Sequence, residues 1–311
     1  MSFTTDIKQE IANRDLEKHC KKAQLSALVQ LTSSLKISKG NLGIIIRSES
    51  PTTSKRVMYL LKELYKVDTT LQVAKKTNLK KNNVYTIEID NDGKRILEDL
   101  ELYTNRGLES HPGYSIVSKT CCASAYLAGA FLAYGSCNDP QNSSYHLEIA
   151  LTELDYANYI VKLISRFDMQ AKIAKRRNRY IVYLKKADYV SSFLALIGAH
   201  DAMMRFEDER IGRDLKNSVS RIDNCEIANE VKTIRAAQRQ VEYMQKIIDY
   251  GKYEKLNERL KNVLDIRMKY QDYSLLELCD AYQKKYGDVI SKSGMKHRLN
   301  KLESIAESLE E

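Results

Sequence analysis

Tryptophan is absent from this chain of 311 residues, proline occurs three times and histidine five. Six cysteines, Cys20, Cys121, Cys122, Cys137, Cys225 and Cys279, contain no C-x-x-C pair. The adjacent Cys121 and Cys122 are a poor disulfide prospect, and His19, His111, His146, His200 and His297 are scattered, so no zinc-type spacing emerges. The expectation is a set of reduced, mostly buried thiols, with no metal site and no cofactor. Long apolar runs are missing as well. The longest, Ala123 to Tyr134, is broken by Ser124 and falls well short of the ~20 residues that cross a bilayer. Met1-Ser2-Phe3-Thr4-Thr5-Asp6-Ile7-Lys8 has no hydrophobic stretch of the secretory kind. The expected compartment is the cytoplasm, with no membrane among the partners.

What is present is charge. Fifty Lys and Arg against 41 Asp and Glu leave a formal net charge of +9, which suits a nucleic-acid partner if the cations are clustered. A hydrophobic share of 43% with 29% charged residues is globular and excludes a wholly disordered chain. The length suggests two or three domains.

The chain repeats itself. Tyr59 to Asp68 aligns with Tyr159 to Asp168, each an amphipathic helix leading to a hairpin-like pair of strands. Those strands read as 70–75 with 83–89 in the first copy and 170–174 with 179–184 in the second. Each copy opens with a helix of small and apolar residues, 23–32 and then 124–134. A further strand follows at 42–47 and at 145–151. Asn105-Arg106-Gly107 and His111-Pro112-Gly113-Tyr114 read as the linker between copies.

From about Asp201 the strand signals stop, and no proline follows Pro140, so helices can run long. Val231, Ile234, Ala237, Val241, Met244 and Ile248 predict one apolar helical stripe, ended by Gly251. Leu256, Leu260, Val263, Leu264 and Met268 predict a second helix. Ser274-Leu275-Leu276-Glu277 reads as a capping box opening a third. After Tyr286-Gly287-Asp288, Ser291 is the expected N-cap of a fourth, with core positions Met295, Leu299 and Leu302. Two short helices around a turn suggest helix-turn-helix; periodicity alone equally allows an ordinary helical bundle.

The helix Tyr126-Leu127-Ala128-Gly129-Ala130-Phe131-Leu132-Ala133-Tyr134-Gly135 resembles the LAGLIDADG signature of homing endonucleases. Ala125, Gly129 and Ala133 lie four apart, a face on which a second helix can approach closely. Leu25 to Ser33 is the matching, weaker copy; an ordinary pair of core helices is the plainer alternative. The segments 274–278, 290–302 and 221–229, with the opening Ser2-Phe3-Thr4, are similar to the WhiA family, and the resemblance spans essentially the whole chain. One departure is the stretch Asp280 to Asp288, with Cys279 where that family often has glycine, which leaves the turn geometry open. The resemblance implies a Gram-positive bacterial regulator that joins a degenerate LAGLIDADG domain to a helix-turn-helix. It further implies DNA binding, transcriptional control, and roles in sporulation, cell division or chromosome segregation.

Active nucleases of the LAGLIDADG kind end each paired helix in an acid, and the two carboxylates hold a divalent metal over the scissile phosphates. Here those positions fall at Thr32 and Tyr134; no catalytic residue and no enzyme activity are expected. Residues 171–186 carry seven cations and no acid, among them Lys175, Arg176, Arg177 and Arg179. The equivalent first-copy hairpin has Lys75, Lys76, Lys80 and Lys81. A remnant DNA-binding saddle is the sharper reading, a solvated hairpin tip the blander one. Tyr180 and Tyr183 interleave with the second run and are expected on a single face. Residues 284–301 hold six cations against Asp288. Their helix is expected to present Ser291, Lys292, Ser293, Lys296, His297, Arg298, Asn300 and Lys301 to double-stranded DNA, its start to phosphate and Lys296 and Asn300 to bases.

The expected fold is α+β: a two-repeat LAGLIDADG-like αββαββα domain followed by an all-α helix-turn-helix domain. The expected boundaries are 1–105 for the first repeat with an N-terminal helix, 106–120 for the linker and 121–210 for the second repeat. A connecting region and long helix take 211–252, and the DNA-binding domain 253–311. The expected function is a sequence-specific DNA-binding transcriptional regulator, nucleoid-associated in the cytoplasm. The alternative is a protein-docking adaptor whose LAGLIDADG-like domain binds a sigma factor or RNA polymerase.

Overall fold

A computed structural model describes residues 2–38, 41–67, 69–75, 83–142 and 144–309. The chain divides into two compact units, residues 1–213 and 214–311. The first unit opens with α1 (Phe3–Asn13), whose apolar Phe3, Ile7 and Ile11 are buried on one face. The first repeat then runs α2 (Lys18–Thr32), β1 (Ser33–Ser38), β2 (Asn41–Ser48), α3 (Pro51–Tyr65), β3 (Thr70–Lys75), β4 (Asn83–Ile89) and α4 (Gly93–Asp99). A short ribbon, β5 (Tyr103–Thr104) and β6 (Gly107–Leu108), and α5 (Tyr114–Val117) lead to the second repeat. That repeat is α6 (Thr120–Tyr134), β7 (Gly135–Cys137), β8 (Leu147–Leu151), α7 (Leu154–Ser165), β9 (Lys172–Arg176), β10 (Arg179–Leu184) and α8 (Ala187–Leu196).

Each repeat forms a four-stranded antiparallel sheet, ordered β1-β2-β4-β3 and β7-β8-β10-β9. The unit αββαββα is therefore used twice, as the pattern predicts. Its first strands, β1 and β7, follow α2 and α6 without a loop and escape periodicity, β7 because it is three residues long. Alternation sets the core face of the second sheet: Leu147, Ile149, Leu151, Val182 and Leu184 are buried.

Helices α2 and α6 lie at the centre, and neither is amphipathic. Leu25, Ala27, Leu28 and Val29 of α2 and Tyr126, Leu127, Ala130, Phe131 and Leu132 of α6 are all buried, as expected of helices surrounded by protein. Gly129 sits against α2, where an added Cβ would fall inside contact distance of the Gln24 carbonyl and 2.9 Å from the Ala27 Cβ. Other elements lock onto this pair. Thr53 on α3 donates to the Leu132 carbonyl at 2.9 Å near the end of α6. Buried Arg56 donates to Gln24 Oε1 at 2.7 Å and to the Ala12 carbonyl at 3.0 Å, joining α3, α2 and α1.

Helix α9 (His200–Asp249) spans 50 residues and carries the chain across the boundary between the units. The second unit continues with a 3-10 turn (Tyr253–Lys255), α10 (Glu258–Lys269), α11 (Leu275–Tyr286) and α12 (Lys292–Glu307). Its core takes Met244, Ile247, Leu260, Val263, Leu264, Leu278, Tyr282, Met295, Leu299 and Leu302. The stripe expected on α9 holds only in part. Ala237 and Met244 are buried, Ile247 takes the place of Ile248, and Val231, Ile234 and Ile248 stay exposed. The part of α9 that joins the second core lies near the helix C-terminus, so a stripe extended back to Val231 overshoots it.

The close approach at Gly129 yields a paired test by urea denaturation. Gly129→Ala gains ~1 kcal/mol of helix propensity but meets backbone, and overpacking costs roughly 1–3 kcal/mol, so the midpoint of the first unit should fall. Gly212→Ala on α9, where an added Cβ meets nothing within 4 Å, should raise the midpoint, through a gain of up to ~1 kcal/mol in stability. Equal shifts in the two variants would show that Gly129 marks no special approach of the helices.

Candidate nucleic-acid interface

In the second unit, Ser274 and Glu277 form the expected capping box: Glu277 N–H donates to Ser274 Oγ, and Ser274 N–H donates to Glu277 Oε2 at 2.7 Å. Helix α11 runs on to Tyr286 and ends on Gly287, whose φ of 78° is the left-handed cap glycine favours. The stretch from Asp280, over which the sequence leaves the turn geometry open, is thus mostly helix, and Cys279 is a buried α11 residue. The turn itself is residues 287–291. Ser291 caps α12 by accepting the Gly294 N–H at 3.1 Å.

Met295, Leu299 and Leu302 are buried as periodicity requires, and Ser291, Lys292, Ser293, Lys296, His297, Asn300 and Lys301 are exposed. Arg298 departs from the expected set. Its guanidinium donates to the Tyr282 hydroxyl at 3.0 Å and lies 5.5 Å from the ring centroid, so it bonds α12 to α11. Ser291 is likewise committed, as the cap and to the Ser293 hydroxyl at 3.0 Å. Lys292, Lys296, His297, Asn300 and Lys301 remain as the exposed polar face.

The connection into this motif rests on Arg267, 2% exposed, whose Nη1 donates to the carbonyls of Tyr270, Gln271 and Tyr273. Burial lowers its pKa to about 10, still far above neutrality, so the guanidinium stays charged and holds the α10–α11 turn.

In the first unit, Lys175, Arg176, Arg177 and Arg179 are all exposed at the β9–β10 turn, and none has an ion-pair partner among the described residues. Register sorts them. Arg176 pairs with Arg179 and shares their face with Lys172 and Tyr183, the face away from the core. Lys175 pairs with Tyr180 on the other face, its ammonium 5.9 Å from that ring. Tyr180 and Tyr183 therefore do not share a face: three residues apart, strand alternation sends them to opposite sides. Tyr183 stacks on His146, ring centroids 5.6 Å apart. In the first repeat Lys75 is exposed at the end of β3, while Lys76, Lys80 and Lys81 lie outside the described residues.

The two acid positions of the nuclease pattern do converge. Thr32 and Tyr134 end α2 and α6 and line one cleft of about 920 Å³. Thr32 spends its hydroxyl on the Leu28 carbonyl at 2.6 Å. Tyr134 has the Arg179 guanidinium 5.9 Å from its ring. The charged lining is Lys8, Arg47 and Arg179 against Glu49, so a divalent cation would meet an excess of positive charge. The sequence pattern missed Lys8 and Arg47, since one sits on α1 and the other on β2, outside any cationic run. Burial drives the Lys8 pKa from 10.5 down to about 8.

A second constellation also lay outside the sequence pattern. His19, Cys20, Cys121 and Cys122, in the first turns of α2 and α6, bring their ligand atoms within 4.8 Å of one another. Burial and contact with the neighbouring thiols push the Cys20 thiol up to about 12. The only sequence signal was the adjacency within each pair.

Family models describe nearly all of the chain. The WhiA N-terminal LAGLIDADG-like domain matches residues 18–103, the WhiA LAGLIDADG-like domain 123–216 and the WhiA C-terminal HTH domain 219–306. A relative from Brevibacillus brevis, called a probable cell division protein WhiA, is 41% identical over all of this chain and 98% of its own length. A Bacillus cereus protein of the same description is 42% identical over 99% of this chain and 97% of its own. The crystal structure of full-length DUF199/WhiA from Thermatoga maritima is similar in fold, with a TM-score of 0.60 at 23% identity and 99% of both chains covered.

The cleft predicts a pH-dependent stability. The folded chain holds the Lys8 proton less tightly than the unfolded chain does, so the cost of charging Lys8 is fully present below pH 8 and fades toward pH 10.5. Lys8→Met should therefore stabilise the first unit at pH 7 by up to about 3 kcal/mol, with the gain shrinking as the pH rises from 8 toward 10.5. A gain that is flat across that range would mean the methionine acts by packing alone.

Proposed function

The chain belongs to the WhiA family, and on that footing we propose that it is a sequence-specific DNA-binding transcriptional regulator, acting in the cytoplasm at the nucleoid. Its role would lie in cell division, chromosome segregation or sporulation. The observation that carries this reading is α12: a capped start, a buried stripe against α10 and α11, and an exposed polar and basic face. Exposed N–H groups and Lys292 at the start suit a backbone phosphate. Lys296 and Asn300, one turn apart, have the chemistry for guanine and adenine edges. The LAGLIDADG-like unit serves without catalysis. Thr32 and Tyr134 offer no carboxylate, and Lys8, Arg47 and Arg179 repel the metal a nuclease needs. Supercoiled plasmid incubated with Mg²⁺ and the protein should stay uncut.

Arg176, Arg177 and Arg179 hold further phosphates from the second hairpin in this reading. One observation favours the adaptor role instead, with a sigma factor or RNA polymerase docking on the first unit. Lys36 is neutralised by Glu88 and Asp90, each 2.9 Å away, and Glu148 binds His146 at 2.9 Å, so part of the sheet surface is already charge-paired.

Specific and random duplexes titrated with salt separate these roles. Lys296→Ala and Asn300→Ala should each cost roughly 1–3 kcal/mol on the preferred site and less on random DNA, whereas Lys292→Ala should weaken both alike. Replacing Arg176, Arg177 and Arg179 together should flatten the salt slope by ~0.9 for each phosphate that is no longer neutralised. An unchanged slope in a folded triple variant would favour the adaptor. An unchanged specific-to-random ratio in the two α12 variants would remove that helix as the reader.

A further inference from the structure

The thiol and imidazole cluster lies at the starts of α2 and α6, at the opposite ends of these helices from the Thr32 and Tyr134 cleft. His19 Nδ1 lies 3.2 Å from Cys20 Sγ and 3.2 Å from Cys122 Sγ, and Cys121 Sγ completes a set whose members all fall within 4.8 Å of one another. Tetrahedral zinc with Zn–S near 2.3 Å and Zn–N near 2.0–2.1 Å places its ligand atoms roughly 3.6–3.8 Å apart. Shifts of about 1 Å or less would bring these four atoms onto that tetrahedron. Three sulfurs and one imidazole nitrogen are a ligand set that zinc favours over calcium or magnesium.

Glu17 adds an independent sign. It occupies the N-cap position of α2 yet makes no side-chain capping bond. Its carboxylate instead takes His19 Nε2 at 2.6 Å. With Nε2–H donated to Glu17, Nδ1 turns its lone pair to the sulfurs, the carboxylate–histidine arrangement that orients and strengthens metal-binding imidazoles. Two helix N-termini meet at the cluster, and their dipoles offset part of the burial that keeps these thiols protonated until a metal displaces the protons. Cys121 is exposed and gives an ion a way in, while Cys20 and Cys122 are buried.

We propose that His19, Cys20, Cys121 and Cys122 form a structural Zn²⁺ site that ties the starts of the two LAGLIDADG-like helices together. Binding replaces three S–H bonds by Zn–S bonds and releases three protons to solvent, with no redox change. The zinc closes a link between α2 and α6, two helices a hundred positions apart in the chain, beside the packing at Gly129.

The full-length protein, stripped of metal and kept reduced, is titrated with Co²⁺ as a spectroscopic probe and then with Zn²⁺. One Co²⁺ per chain should give a thiolate-to-cobalt charge-transfer band and the visible absorption of tetrahedral cobalt, both abolished by one equivalent of Zn²⁺. Cys121→Ser, at an exposed position, should lose the charge-transfer intensity in part and weaken Zn²⁺ binding. Glu17→Gln keeps all four ligands and should weaken it roughly 10- to 100-fold. Cys225→Ser, at an exposed cysteine on α9, should change nothing. Circular dichroism verifies folding in each variant. Failure of the folded, reduced wild-type protein to bind either ion tightly would overturn the proposal. So would stoichiometric binding that Cys121→Ser leaves untouched.

Discussion

Two helices, α2 and α6, pass each other where Gly129 removes the one side chain that would hold them apart. Both helices bury most of their residues, so their mutual burial is the constraint on which the first unit depends. Because the same helix opens each repeat, both sheets are hung from this contact, and α1 and α3 are fastened to it through Arg56, Gln24 and Thr53. The contact also creates two places where residues far apart in sequence must meet. At one end the helices stop at Thr32 and Tyr134; at the other they begin with His19-Cys20 and Cys121-Cys122.

These two ends have opposite electrostatic character. The cleft at the helix ends gathers Lys8, Arg47 and Arg179 around one carboxylate, a lining suited to anions and hostile to a divalent cation. Burying Lys8 there carries a desolvation penalty. The helix starts instead gather soft, neutral ligands under two positive dipole ends. Where the active nuclease pattern sets two carboxylates, this chain has Thr32 and Tyr134, with Lys8, Arg47 and Arg179 beside them.

The second unit solves a different problem, presenting a short helix rigidly. The capping box fixes the start of α11, Gly287 lets it stop, and Ser291 fixes the start of α12. Arg267, buried and charged, gathers three carbonyls of the preceding turn. Arg298 spends its charge on Tyr282, within the fold. A cationic residue on a candidate reading helix thus contributes to the placement of that helix, and the exposed lysines and Asn300 are left to meet a ligand.

The architecture was legible in the order of residues along the chain. Helical and strand periodicities and the capping signals are local, each depending on neighbours within a few positions, and the hundred-residue repeat is the same local pattern met twice. That is why Met295, Leu299 and Leu302 were legible as core and Ser291 as a cap. The absence of acids at Thr32 and Tyr134 was equally legible, because it is a statement about residue identity. Which distant residues share a space was settled by the packing of the folded chain. Lys8 reaches the cleft only because α1 packs beside α6, Arg298 turns inward only because Tyr282 stands opposite, and two adjacent pairs become a four-ligand cluster only because α2 and α6 start side by side. Side-chain chemistry at these places depends on separations of roughly 3 to 5 Å that are set by helix packing, and no spacing along one strand or one helix encodes them.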